Sequence, residues 1–224
     1  MSLRKLQPNE PKYLQSFGRT KSRRIRDNAK RILDEGLPKY TFTELPKNKE
    51  VWLEIGFGGG EHLLHQAKNN RDVFIIGCEP FINGTIKLLR GLEDDKLDNV
   101  RIFKGDFRIL AEQLPNDLFS KVFVLFPDPW PKKKQNKRRI ISHETLDLLI
   151  KLAKNKADMR IATDHVDYAK WIAAHITSHK GITWQASCKA DWQTQPTDHI
   201  ETKYQKKALN EGRNPVFFNL QINK

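Results

Sequence analysis

Val51-Trp52-Leu53-Glu54-Ile55-Gly56-Phe57-Gly58-Gly59-Gly60 is the stretch that decides the fold. Its apolar, strand-forming start runs straight into a glycine loop, and a helix is predicted over residues 60–69. The alternation then continues. Strands are predicted at Val73–Cys78, Val100–Lys104, Val122–Phe126, Met159–Thr163, Ile182–Ala186 and Val216–Ile222. Helices are predicted over 81–93, 107–114, 143–154 and 165–178. Strands alternating with helices imply βαβ units, so the expected class is α/β with a doubly wound, mostly parallel, seven-stranded Rossmann-like sheet. No clear helix separates the last two strands, so one of them is expected to run antiparallel. Working back from Val51, residues 1–48 read as a basic N-terminal extension, partly mobile, with a short helix near 26–35. Residues 49–224 read as the α/β domain.

The formal charge of +13 sits in two places. Residues 1–48 hold 12 Lys/Arg against 5 Asp/Glu, and Lys132–Arg139 holds six basic residues and no acid. The remainder balances at 22 of each sign. Charge concentrated this way points to a polyanionic partner, a nucleic acid ahead of a membrane surface. Cys78 and Cys188 stand far apart without a CxxC or Cys/His cluster, so neither zinc nor a disulfide framework is indicated. No metal is expected, and Cys78 reads as a buried small hydrophobe. The polar, basic N-terminus is not a signal peptide, and no apolar run is long enough to span a membrane. The expected location is therefore the cytoplasm. The sequence admits a monomer or a homodimer.

In open α/β sheets, ligands bind outside the carboxyl ends of the strands. The first strand ends in Glu54, Gly56 and Gly58. A dinucleotide loop would carry its third glycine where this chain has Glu61, a carboxylate at the place of a phosphate. S-adenosylmethionine carries a sulfonium and an ammonium and no phosphate, so it suits Glu-x-Gly-x-Gly-x-Gly. A purely structural glycine turn is the alternative. The second strand ends in Glu79-Pro80, where a carboxylate can accept both hydroxyls of a ribose or simply cap a helix. The third ends in Gly105-Asp106-Phe107. Asp106 can accept from an adenine amino group with Phe107 against the ring, or it can be an N-cap. Acids close all three strands in turn, and the set is more specific than any member.

The fourth strand ends in Phe126-Pro127-Asp128-Pro129-Trp130-Pro131. The prolines restrict the backbone around Asp128. Such rule-breaking local chemistry tends to mark functional sites. Trp130 can stack on a base or pack beneath its own loop. The basic run from Lys132 to Arg139 follows directly, and at this edge it suits phosphate contact.

From about residue 50 onward the chain resembles the bacterial tRNA (guanine-N7)-methyltransferase family. The resemblance rests on Leu53 to Gly60, Phe126 to Lys133 with Lys137-Arg138-Arg139, Ala162-Thr163-Asp164 and Thr202-Lys203-Tyr204. It implies that 49–224 is a methyltransferase domain, that the methyl donor is S-adenosylmethionine, and that the substrate is a guanine in the variable loop of tRNA. It also implies donor-site acids at Glu54, Glu79, Asp106 and Asp128. On the guanine side it implies Lys132, Asp164, Thr202, Lys203, Tyr204 and Gln205, with RNA contacts at Lys134, Lys137, Arg138 and Arg139. Two departures from the family's usual pattern stand out: Gln205 in place of Glu, and Lys134-Gln135-Asn136 in place of Arg-His-His.

Guanine N7 has a free lone pair, so the catalytic reading of Asp128 is a fixed negative charge and hydrogen-bond anchor, not a strong base. Asp164 either shares the base's donor edge or caps a helix, and Tyr204 either folds over the site or packs in a loop. A methyltransferase for DNA or another RNA, a nicotinamide-dependent oxidoreductase and a non-catalytic RNA-binding module are the competing readings.

Overall fold

A computed structural model describes residues 25–224. The mobility expected of the N-terminal extension concerns mainly residues 1–24, which lie outside the described residues. The chain divides into two compact units, one ending at Leu114 and the other running from Pro115 to Lys224.

The first unit contains α1 (Asp27–Tyr40), β1 (Val51–Ile55), α2 (Glu61–Asn69), β2 (Phe74–Cys78), α3 (Ile82–Asp94), β3 (Val100–Phe103) and α4 (Phe107–Ala111). β1 pairs with β2 and β2 with β3, both in parallel. All five residues of β1 and all five of β2 are buried, as parallel strands covered on both faces must be. That is why these strands read as apolar runs, broken in β1 only by Glu54. α1 packs on α3, where Gly36 lies against Leu89. Just after α1, the Phe42 amide donates to the Ile102 carbonyl of β3 at 2.9 Å. Asn99 is a second tie. Its side-chain amide donates to the carbonyls of Ala67, Asn70 and Val73, fastening the end of α2 to the start of β2.

The second unit contains β4 (Phe119–Leu125), a 3-10 turn over Lys133–Arg138, α5 (His143–Leu152), β5 (Ala153–Thr163), α6 (Val166–Thr177), β6 (Ile182–Trp184), α7 (Ala190–Gln193), α8 (Lys203–Asn210) and β7 (Val216–Ile222). β4 and β5 are parallel, while β7 runs antiparallel to both β5 and β6. Ser142 and His165 cap α5 and α6 by accepting backbone N–H bonds. The strand order is β3-β2-β1 within the first unit and β4-β5-β7-β6 within the second, the mostly parallel class expected, with β7 as the antiparallel strand. β5 extends upstream of the predicted Met159 to Ala153, through exposed residues 154–156. α7 and α8 fill the segment where no helix was predicted. Cys78 is buried, as expected. Among the described residues, no helix is long and apolar enough to cross a membrane.

Candidate active site

The glycine loop after β1 turns because Gly56, Gly58 and Gly60 all sit at positive φ, a region that side chains disfavour. A Cβ on Gly56 would meet nothing within 4 Å, so the loop has open space above it. On the other side, α3 comes very close. A Cβ on Gly84 would lie 2.0 Å from the Gly58 carbonyl oxygen, so only glycine fits there.

The three acids of the first unit are buried or nearly so, and each is already held by protein donors. Glu54 is 3% exposed, and its Oε2 lies 2.8 Å from His62 Nδ1. The Gln66 amide nitrogen lies 3.2 Å from His62 Nε2. An amide NH₂ only donates, so Nε2 accepts, and Nδ1–H is left to donate to Glu54. Glu79 takes one backbone N–H on each oxygen, from Gly58 and from Phe81, both at 2.8 Å. It thereby ties the glycine loop to the turn that starts α3. Asp106 caps α4 by accepting from the Arg108 amide at 3.0 Å, and the Arg108 guanidinium takes both carboxylate oxygens at 2.9 and 2.5 Å. Glu79 and Asp106 share one neighbourhood. Burial pushes the Cys78 thiol well above its ordinary value, and the negative charges of Asp106 and Glu79 push it further. Pro80 is half-buried at the turn. The Phe107 ring is packed into the core at 2% exposure.

The loop after β4 is built differently. Phe126 and Trp130 both hold positive φ, 51° and 43°, which for aromatic residues costs about 1–3 kcal/mol each. Between them Pro127 and Pro129 fix their own φ, so the backbone about Asp128 has little freedom left. The Phe126 amide donates to Ala162 at 2.8 Å, and its ring meets His199 and Phe217. Asp128 itself is exposed and accepts no hydrogen bond from any described residue. Partial burial by the loop still holds its carboxyl above the ordinary carboxylate value.

Lys132, Lys133, Lys134 and Lys137 are exposed along the 3-10 turn, and the Arg138 guanidinium lies 4.9 Å from the Trp130 ring centroid. Arg139 turns inward and is 4% exposed. Asp164 accepts from Arg213 Nε at 2.7 Å, while the α6 cap is the next residue, His165. Thr202 caps α8 and accepts from the Gln205 amide at 3.3 Å. Gln205 is buried, its carbonyl 2.8 Å from His199 Nε2 and its amide donating to Gln195 at 2.6 Å. Lys203 and Tyr204 point outward, Tyr204 with 59% of its surface exposed. The sequence reading missed His62, Gln66, Arg108 and Arg213, the groups that hold the acids. Only Arg108 had a signal, two residues beyond an N-cap aspartate. Among the described residues, no group of three or more His, Cys, Asp or Glu is placed to hold a metal ion.

A family profile described as a putative methyltransferase matches residues 48–218. A tRNA (guanine-N(7)-)-methyltransferase of Hyphomonas neptunium is 40% identical, covering 93% of this chain and 100% of its own. One from Caulobacter vibrioides is 41% identical over 94% of this chain and 95% of its own. The chain belongs to the tRNA (guanine-N(7)-)-methyltransferase family. As such it is a methyltransferase, with the α/β fold of that class. Solved structures agree on the fold. A 16S rRNA methyltransferase matches with a TM-score of 0.58 at 15% identity, covering 90% of this chain and 96% of its own. An rRNA methylase from Streptococcus thermophilus matches at 0.54 and 11% identity, covering 87% and 93%.

Proposed function

We propose that this methyltransferase transfers a methyl group from S-adenosylmethionine to N7 of a guanine in the variable loop of tRNA, in the cytoplasm. The observation that carries this reading is Asp128, a carboxylate on a strained, proline-locked loop that accepts no hydrogen bond among the described residues. A family member that spends backbone strain to hold an exposed acid has a use for it on the substrate.

The residues of the first unit fit the donor. Glu54 and Glu79 are held in fixed orientation, and space lies open above Gly56. Glu79 suits the ribose hydroxyls and Glu54 the positive end of the donor. Asp106 stands where an adenine amino group would compete with or join Arg108. Glu61, at the place where a dinucleotide's phosphate would sit, is paired with Lys87 and leaves a carboxylate facing any anion, which disfavours the nicotinamide reading.

The donor supplies a methyl group on a positively charged sulfur. The guanine N7 lone pair forms the new N–C bond as the S–C bond breaks, and the positive charge passes to the base. No proton must leave first. Asp128 accepts from guanine N1–H or the exocyclic amine and favours the cationic base as it forms. It also fixes the base in line with the methyl group. Asp164, steadied by Arg213, supports the same donor edge, and Lys132 and the exposed lysines of the turn hold phosphate. The guanine must leave its packing to reach this loop, with Trp130 available for stacking.

The test is tritium transfer from labelled donor to unmodified tRNA, followed by nucleoside analysis. The reading requires 7-methylguanosine. A different modified base, or tRNA binding without transfer, would overturn it.

A further inference from the structure

We infer that Arg139 is a positioning residue for the Pro127–Trp130 loop and not a tRNA contact, an inference that rests on reading this loop as the guanine site. By sequence Arg139 is the last member of the basic run. By structure it parts company with the others. The lysines of the run are exposed, whereas Arg139 is 4% exposed.

Its guanidinium is held inside the second unit. Nε–H donates to the Pro129 carbonyl at 2.9 Å, and a terminal nitrogen is paired with Asp167. The Tyr168 and Trp171 rings lie 5.0 and 5.1 Å from its central carbon, in cation–π range. Those rings are themselves anchored. The Tyr168 hydroxyl accepts from the Ile141 amide at 3.2 Å, and the Trp171 indole donates to the Ile141 carbonyl at 2.7 Å. One planar cation thus joins the loop to α6, and α6 to the chain two residues further on.

The bond to Pro129 matters because of what the prolines leave undetermined. Their rings fix φ at 127 and 129, and they restrict the residues before them. What the prolines leave open next to Asp128 is ψ of Pro127 and ψ of Pro129; the second sets where the Pro129 carbonyl points and how the chain enters Trp130. Arg139 fixes that carbonyl, and so the peptide plane that leads into Trp130 with its positive φ. A lysine cannot replace it, because a point charge offers neither the planar fork nor the stacking face.

The experiment compares Arg139→Gln, Arg139→Lys and Asp167→Asn with Lys134→Ala, all in the full-length chain. Four quantities are read: kcat, KM for tRNA, the salt dependence of tRNA binding, and amide hydrogen exchange across residues 126–131. A lost phosphate contact lowers the slope of log K against log salt by roughly 0.7–0.9. Lys134→Ala is expected to show that drop. Both Arg139 variants are expected to lose on the order of 10–100-fold in kcat, with KM and salt slope unchanged and faster exchange in the loop. Asp167→Asn is expected to lose several-fold in kcat, also with an unchanged slope. A reduced salt slope in Arg139→Gln, or wild-type kcat and exchange, would overturn the inference. Should Arg139→Gln fail to fold, Asp167→Asn decides: wild-type kcat and exchange there would also overturn it. Faster loop exchange in the Arg139 variants, together with a wild type that transfers no methyl to tRNA, would sink the functional reading and leave the positioning role standing.

Discussion

The acids of the first unit and the acid of the second are held in opposite ways. Glu54, Glu79 and Asp106 are each gripped by His62, by two backbone amides or by Arg108. Asp128 accepts no hydrogen bond among the described residues; its backbone is fixed between two prolines and two residues at positive φ. The difference separates two tasks. A group that must recognise the same small molecule at every turnover gains from being locked in advance, because little ordering remains to be done on binding. A group that must act on charge appearing in the transition state should keep its capacity unspent until the substrate arrives.

The sharpest way to break this contrast is to remove Asp128. Asp128→Ala should cut methyl transfer by about 10²–10³-fold, as losing one preorganised electrostatic group does elsewhere. It should leave donor-induced thermal stabilisation largely in place. A variant that transfers methyl at the wild-type rate would end the comparison. Glu79→Ala should behave the other way. It frees the Gly58 and Phe81 amides, which costs about 1–3 kcal/mol of stability, and it should weaken donor binding on the order of tenfold by calorimetry.

The pH profile tests the same idea more finely. Asp128 acts as the carboxylate, and its carboxyl is held above the ordinary value by partial burial. Transfer should therefore fall on acidification at a higher pH than a freely solvated aspartate would dictate. Stability has the opposite sign. A raised acid favours the folded state when protonated, and that contribution is present below the ordinary aspartate value and lost as pH rises through the raised one. At neutral pH the charge on Asp128 is a small burden. The smallest effect expected is thus a slight rise in Tm for Asp128→Asn at pH 7, alongside lost activity. A fall in Tm would mean that the carboxylate is structural after all.

How much of this was legible from sequence follows the physics of each segment. The parallel strands were readable because burial on both faces leaves uninterrupted apolar runs, as in Phe74–Cys78. β5 was cut short because its first half is Lys154-Asn155-Lys156, exposed and polar, with Lys156 at positive φ. α8 went unseen because its buried face is only Gln205 and Ala208. A signal was nonetheless there: Thr202 followed by Gln at the third helical position is the spacing of a capping box. The acids were legible as strand ends. Their partners were not, since Glu54 and His62, or Asp164 and Arg213, are brought together only by the fold. Arg139 shows the limit most clearly, because charge along a sequence does not reveal which side chain turns inward.

The approach of Gly84 to the Gly58 carbonyl bears on how such a protein can change over generations. It is a contact of main chain with main chain, so it does not depend on which side chains α3 carries elsewhere. The outer face of that helix is free to drift in sequence while the loop that would cradle the donor keeps its place. The whole tolerance of the arrangement is concentrated in one missing methyl group.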